Sequence, residues 1–269
     1  MGAPVEHYPK LTYVDHLPSG SRLWSQHYLL FLEGVTAVFD GFTALDIAAI
    51  GVEHNELRVI IGPNGAGKTT FCDIVTGKTA PATGRVYFDG ENITEVSESD
   101  IFLRGIGRKF QTPTVFDSLT TYQNMELALP GNQKVWPNLF AKERPAERDR
   151  IFDILKRVKL DDDAHTEARF LSHGQRQWLA ISVLILSRPK LLLVDEPAAG
   201  LTDSETELTA ELLLELKKEH TLIVIEHDMD FVRHLDARVT VLNEGKMMAE
   251  GSMADVQKDE AVIEAYLGR

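Results

Sequence analysis

The chain has 269 residues, a formal net charge of −13 and 43% hydrophobic residues. That length suits one sizeable core with a small attached subdomain, and the acidic balance excludes a general nucleic-acid binder, because phosphate contacts need clustered Lys and Arg. Cys72 is the single cysteine, so an intrachain disulfide is excluded, as suits a reducing cytoplasm.

Residues 1–27, with Pro4, Pro9, Pro18 and Gly20, read as a poorly ordered extension without the basic start and apolar stretch of a secretory signal. Met1-Gly2 is not followed by a Ser or Thr at position 6, where Glu6 stands, so myristoylation is not expected. From there on, short apolar runs alternate with helical periodicity, which predicts a parallel sheet covered by helices. Strands are predicted at 29–38, 44–50, 57–61, 85–88, 191–194, 221–226, 238–242 and 246–250. Between about 111 and 170 the pattern turns helical. Thr120 with Gln123 forms a capping box before Tyr122–Leu129, Pro130–Arg144 reads as a loop, and Ile151, Ile154, Leu155 and Val158 mark a helix over Glu147–Val158. A helix over His173–Ser187 and another after the Thr202–Glu205 capping box complete the reading. No apolar run approaches the roughly 18 to 20 residues that span a bilayer.

Chemistry concentrates in four short segments. Gly62-Pro63-Asn64-Gly65-Ala66-Gly67-Lys68-Thr69-Thr70 fits G-x-x-x-x-G-K-[ST], follows the strand Leu57–Ile61, and is placed to open a helix through Thr69, Phe71 and Ile74. Its glycines let backbone N–H groups and the helix N-terminus face phosphate oxygens. Lys68 adds a positive charge near the terminal phosphates and Thr69 a hydroxyl for Mg²⁺. The buried run Leu191–Val194 delivers Asp195 and Glu196 to its C-terminal edge, where open α/β sheets place ligands. Gln111, the segment Leu171-Ser172-His173-Gly174-Gln175, and His227 after the apolar run Thr221–Glu226 complete the set.

These segments, in this order, resemble the ATP-binding subunit of an ABC (ATP-binding cassette) transporter from about Leu29 to the end of the chain. The resemblance implies a P-loop NTPase (RecA-like) α/β core over 28–110 and 171–269, an antiparallel β subdomain, and an inserted α-helical subdomain over about 111–170. It implies ATP and Mg²⁺ as cofactors. Asp195, Thr69 and Gln111 would serve the metal, Glu196 would be the general base, and His227 would contact the γ-phosphate. Ser172, Gly174 and Gln175 would cap the γ-phosphate of an opposite subunit. Phe39 would stack on adenine, with Phe42 and Tyr28 as alternatives. His173 departs from the glycine usual at its position and is read as neutral decoration, with a mild pH-sensitive contact as the alternative; Asp203 keeps the acid of the loop that joins the two sites. Phe110, Pro113, Thr114, Val115, Phe116, Leu119 and Met125 would line a groove for a permease helix, or belong to the subdomain core.

The expected partners are a second ATP-binding subunit, as a heterodimer with a sister ATPase, two transmembrane permease subunits and an extracytoplasmic solute-binding protein. Nucleic acid is not among them. The expected location is the cytoplasmic face of the membrane, peripheral through the permeases. Phe110–Phe116, Glu226–Val232 and Val262–Gly268 resemble the branched-chain amino acid and amide importer group, and His173 with Gln177-Trp178 resembles its urea branch. A lipopolysaccharide-export ATPase is the more distant alternative. A DNA-repair or translation ABC protein would need a long coiled-coil insertion or a second cassette, and neither is present.

Overall fold

The computed structural model describes residues 27–110, 115–129 and 145–267. Gln111, Pro113, Thr114, the segment 1–26 and the predicted loop 130–144 lie outside the described residues.

Two sheets organise the chain. The first is antiparallel, in the order β2-β1-β4-β5, from β1 (Tyr28–Phe39), β2 (Phe42–Glu53), β4 (Thr83–Phe88) and β5 (Glu91–Asn92). The second runs β10-β9-β3-β8-β7-β6, from β3 (Leu57–Ile61), β6 (Ile106–Lys109), β7 (Leu191–Asp195), β8 (Thr221–Ile225), β9 (Arg238–Asn243) and β10 (Lys246–Ser252). Within it β9, β3, β8, β7 and β6 are parallel, and β10 closes one edge antiparallel to β9. Three hairpins turn on two residues with positive φ: Asp40-Gly41, Asp89-Gly90 and Glu244-Gly245. This is the turn whose twist matches that of paired strands.

Strand parity divides the core. Leu57, Val59 and Ile61 of β3, Leu192 and Val194 of β7, and Leu222 and Val224 of β8 face one hydrophobic layer. That layer includes α4 (Pro145–Arg157), α5 (His173–Ile185) and α6 (Asp203–Leu216), through residues such as Leu155, Leu179 and Leu213. Ile60, Leu193, Ile223 and Ile225 face the other layer, with Phe71 and Cys72 of α1 (Lys68–Val75) and Leu45 and Ile47 of β2. The period of two along each strand therefore joins the helical subdomain to one face and the antiparallel sheet to the other.

All eight predicted strands form. β6 has no apolar run to announce it, since Ile106-Gly107-Arg108-Lys109 ends in two cations; it forms because it pairs in parallel with Leu191–Val194 of β7. The helices beyond the sequence reading include α2 (Glu98–Arg104), capped by Ser97, and α7 (Met229–Leu235), capped by Asp228. Capping boxes form at Thr120–Gln123 before α3 (Thr121–Leu127), at Ser172–Gln175 before α5 and at Thr202–Glu205 before α6. Met125 is fully buried and belongs to the subdomain core, not to a surface groove, whereas Phe116 is exposed. Two short helices, α8 (Met253–Val256) and α9 (Glu260–Leu267), end the described chain.

Candidate active site

α1 differs from its neighbours at its start. Its N-cap is Gly67, with φ 98°, and no side chain caps its first turn. The amides there keep their free direction, which suits an anion. Gly65 also needs a left-handed φ, of 81°. Gly62 is required for closeness instead: a Cβ at that position would stand 2.3 Å from the Leu242 carbonyl oxygen. Lys68 Nζ donates to the carbonyls of Gly62 at 2.6 Å and Pro63 at 3.0 Å, so its charge is folded back over the loop. Burial pushes the Lys68 ammonium below its ordinary range, against the pull of Glu196 and Asp195.

A cavity of about 610 Å³ opens over this turn. Asn64 to Thr70 line one side, Asp195 and Glu196 the other, and Phe42 and Ala44 of β2 a third. Two parallel strands, β3 and β7, thus bring the two halves of the sequence motif to one end of the sheet. Glu196 adopts φ 46°, a left-handed conformation unusual for a residue with a Cβ, and its N–H donates to Ile225 O at 2.9 Å. Such backbone strain is held only where surrounding contacts fix it. His227 Nδ1 lies 3.6 Å from Glu196 Oε1, so the histidine after β8 reaches the acid after β7.

Two aromatics line the cavity, Phe42 and Phe110, and of the three residues considered for adenine only Phe42 is among them. Phe39 is its cross-strand partner on the hairpin but is absent from the cavity wall, and Tyr28 stacks on Phe31 with ring centroids 5.6 Å apart. The two-residue turn explains the shift, since it carries the start of β2, and not the end of β1, over the phosphate loop.

Two cations that contact Asp195 were not singled out in the sequence, Arg108 and Lys109. Arg108 pairs with Asp73 of α1 and, through Nη2, with Asp195 Oδ2 at 3.2 Å, and its guanidinium lies 4.8 Å from the Phe110 ring centroid. Lys109 is buried, donates to Asp195 O at 3.3 Å, and is pushed down by burial to about 8 even though Asp195, Glu226 and Glu196 all draw it upward. The available signal was two adjacent cations just before Gln111 in a strongly acidic chain. Glu226 is buried as well. Its carboxylate accepts from Ala198 N at 2.9 Å, His227 N at 3.0 Å and Asp228 N at 3.3 Å, and burial pushes its pKa up.

Ser172, Gly174 and Gln175 are not part of this cavity wall. They form the start of α5, where Ser172 Oγ accepts from Gln175 N at 3.1 Å and donates to Glu205 Oε1 at 2.9 Å. No cluster of three or more His, Cys, Asp or Glu able to hold a metal occurs among the described residues. The oxygen donors at hand, the Thr69 hydroxyl and the Asp195 carboxylate, fit Mg²⁺, which keeps waters and takes phosphate oxygens as ligands.

Residues 45–199 match the family described as ABC transporter, and residues 246–269 match the branched-chain amino acid ATP-binding cassette transporter family. The chain belongs to the ABC transporter family of ATP-binding cassettes. It is an ATPase coupled to transport. A similar protein is the high-affinity branched-chain amino acid transport ATP-binding protein BraF of Pseudomonas aeruginosa, 34% identical over 89% of this chain and 98% of the relative. Among solved structures, the ADP conformation of an ATP-binding cassette of an ABC transporter matches with TM-score 0.78 and 32% identity, over 90% of this cassette and 99% of that chain. A dimeric post-hydrolysis cassette bound to ADP and Pi matches with TM-score 0.71 and 26% identity, over 83% and 98%. No helix among the described residues of the cassette is long and apolar enough to cross a membrane.

Proposed function

We propose that this cassette energises an importer of the branched-chain amino acid group and that its hydrolytic site is completed by a second ATP-binding subunit. The observation that supports this is the separation of the two halves of the motif set. The phosphate loop, Asp195 and Glu196 share one cavity, while Ser172, Gly174 and Gln175 begin a different helix outside it. A second cassette that offers its α5 start to this cavity would supply the missing N–H groups and hydroxyl. The dimeric cassette bound to ADP and Pi is a relative in which two such chains associate.

In this reading the amides of Gly65 to Thr70 and Lys68 hold the phosphates of ATP, and Phe42, beside Phe39, stacks on adenine. Glu196 orients and deprotonates the attacking water, a role that contributes about 10²- to 10⁴-fold in rate. His227, anchored through its own N–H to Glu226, contacts the γ-phosphate. Mg²⁺, held by Thr69 and Asp195 with Gln111, would neutralise charge on the phosphate oxygens. Arg108 keeps Asp195 in place from behind.

A cavity of about 750 Å³ beside β6, lined by Ile101, Phe102, Leu103, Phe110 and Leu184, supports a permease contact. Leu103 is 77% exposed and Phe102 42%, adjoining apolar side chains of the kind that marks a protein contact. The cassette would thus sit peripherally on the cytoplasmic face through two permease subunits, fed by a solute-binding protein and paired in the cell with a sister ATPase, whose place a second copy of this chain takes in the isolated protein. Urea is the proposed solute, on the resemblance of His173 with Gln177-Trp178 to the urea branch. Branched-chain amino acids are the second reading, favoured by the names of relatives such as BraF. The test is uptake of labelled urea and labelled leucine in source cells that carry the intact chain or Glu196→Gln. Loss of urea uptake alone supports the proposal, loss of leucine uptake alone moves the solute to the second reading, and loss of neither refutes the importer assignment.

A further inference from the structure

His173, read from the sequence as neutral decoration, has definite partners. Its Nε2 lies 3.2 Å from Ala199 O, in the loop that follows Glu196, and a Cβ on Gly200 would come within 3.6 Å of the same ring. Gly200 has φ 71°, so this turn presents bare backbone to the imidazole. A carbonyl only accepts, so the contact requires the imidazole proton on Nε2. Gln177 Nε2 lies 3.3 Å from that same nitrogen and can donate to it only when it is bare. The two contacts call for different tautomers: a proton on Nε2 holds the loop, and a bare Nε2 accepts from its own helix instead.

The loop 197–202 is gripped at two further points. Glu226 accepts from Ala198 N at its start, and the same carboxylate accepts from His227 N. Glu205 accepts from Thr202 N at 3.0 Å at its end and from Ser172 Oγ at 2.9 Å. Of these three grips, those by His173 and Glu205 run to the start of α5. The loop therefore spans from the general base and the histidine of one nucleotide site to the segment proposed to serve the other.

We infer that His173 is a positioning residue, which fixes the loop after Glu196 to the start of α5 so that the general base and the signature segment of one chain move together. The inference rests on the composite-site reading above. With the imidazole gone, the middle of the loop keeps its end anchors but loses its tie to α5. Glu196, already held in a left-handed conformation, is then free to drift from the attacking water, and a misplacement near 1 Å costs up to about 10²-fold in rate.

The test compares His173→Ala and His173→Gln in the purified full-length chain, with ATP turnover measured against ATP concentration and thermal midpoints recorded. The Gln amide extends about as far as Nε2 and restores a donor to Ala199 O. We expect His173→Ala to lower kcat about ten-fold with the half-saturating ATP concentration and the midpoint essentially unchanged, and His173→Gln to recover most of the rate. Wild-type kcat in His173→Ala overturns the inference. So does a loss of rate that tracks a fall in midpoint and is not recovered by Gln. Glu196→Gln run in parallel separates the two levels: an ATP-dependent dimer in that variant with an unaffected His173→Ala refutes the role of His173 alone, whereas no dimer refutes the composite site and this inference with it.

Discussion

Glu226→Gln removes the least and reveals the most about how the catalytic loops are held. The wild-type carboxylate is 1% exposed and accepts three backbone N–H bonds, with Oε1 serving Ala198 and Oε2 serving His227 and Asp228. A carboxamide has one accepting oxygen. If that oxygen stays with His227 and Asp228, the Ala198 N–H faces an NH₂ and is left without an acceptor. A hydrogen bond to a charged acceptor is worth about 1.5 to 3 kcal/mol, and an orphaned buried donor costs about 1 to 3. Against this, the neutral amide escapes the desolvation that pushes the Glu226 carboxyl up despite its three donors. The net expectation is a loss of about 1 to 3 kcal/mol in urea unfolding, with kcat down about ten-fold because the loop after Glu196 loses its first anchor. Unfolding free energy and turnover both equal to wild type would refute the argument that this carboxylate holds the two loops.

Two further outcomes follow from burial. Cys72 is fully buried and its thiol is pushed up to about 12, so the native chain should resist iodoacetamide and react only when unfolded; rapid alkylation of native protein, followed by mass spectrometry, would contradict the packing of α1 against the sheet. Lys109 is pushed down from 10.5 to about 8, so between those values the unfolded chain binds the extra proton and stability rises with pH. At about 1.4 kcal/mol per pH unit the wild type should gain up to about 3 kcal/mol on Lys109→Met over that window. Guanidinium titrations of the nucleotide-free pair at about pH 7.5 and about pH 10 read this directly, and an unchanged gap would show that Lys109 is not buried as described.

The strands were legible because burial on both faces writes itself as apolar runs, and Leu191–Val194 of β7 and Thr221–Ile225 of β8 are such runs on adjacent strands of the sheet. Capping boxes were legible at Thr120 and Thr202 because a hydroxyl and an amide or acid three residues apart satisfy local donors. β6 was not, since its stability comes from pairing with a strand more than eighty residues away and its polar end is neutralised by Asp73 and Asp195. The same distance hid Arg108 and Lys109 from a reading by local pattern. Phe42 against Phe39 was undecidable in sequence because the two are cross-strand partners one tight turn apart. His173 looked dispensable because its partner is a backbone carbonyl in another segment, which leaves no mark in side-chain spacing.

In the proposed composite site one cassette holds ATP and a second completes it. The mass of the Glu196→Gln chain by light scattering, with and without Mg-ATP, tests it most directly. A shift from the single-chain mass of 30.1 kDa to twice that value on ATP addition is the predicted result. ATP bound to chains that remain at the single-chain mass would contradict it.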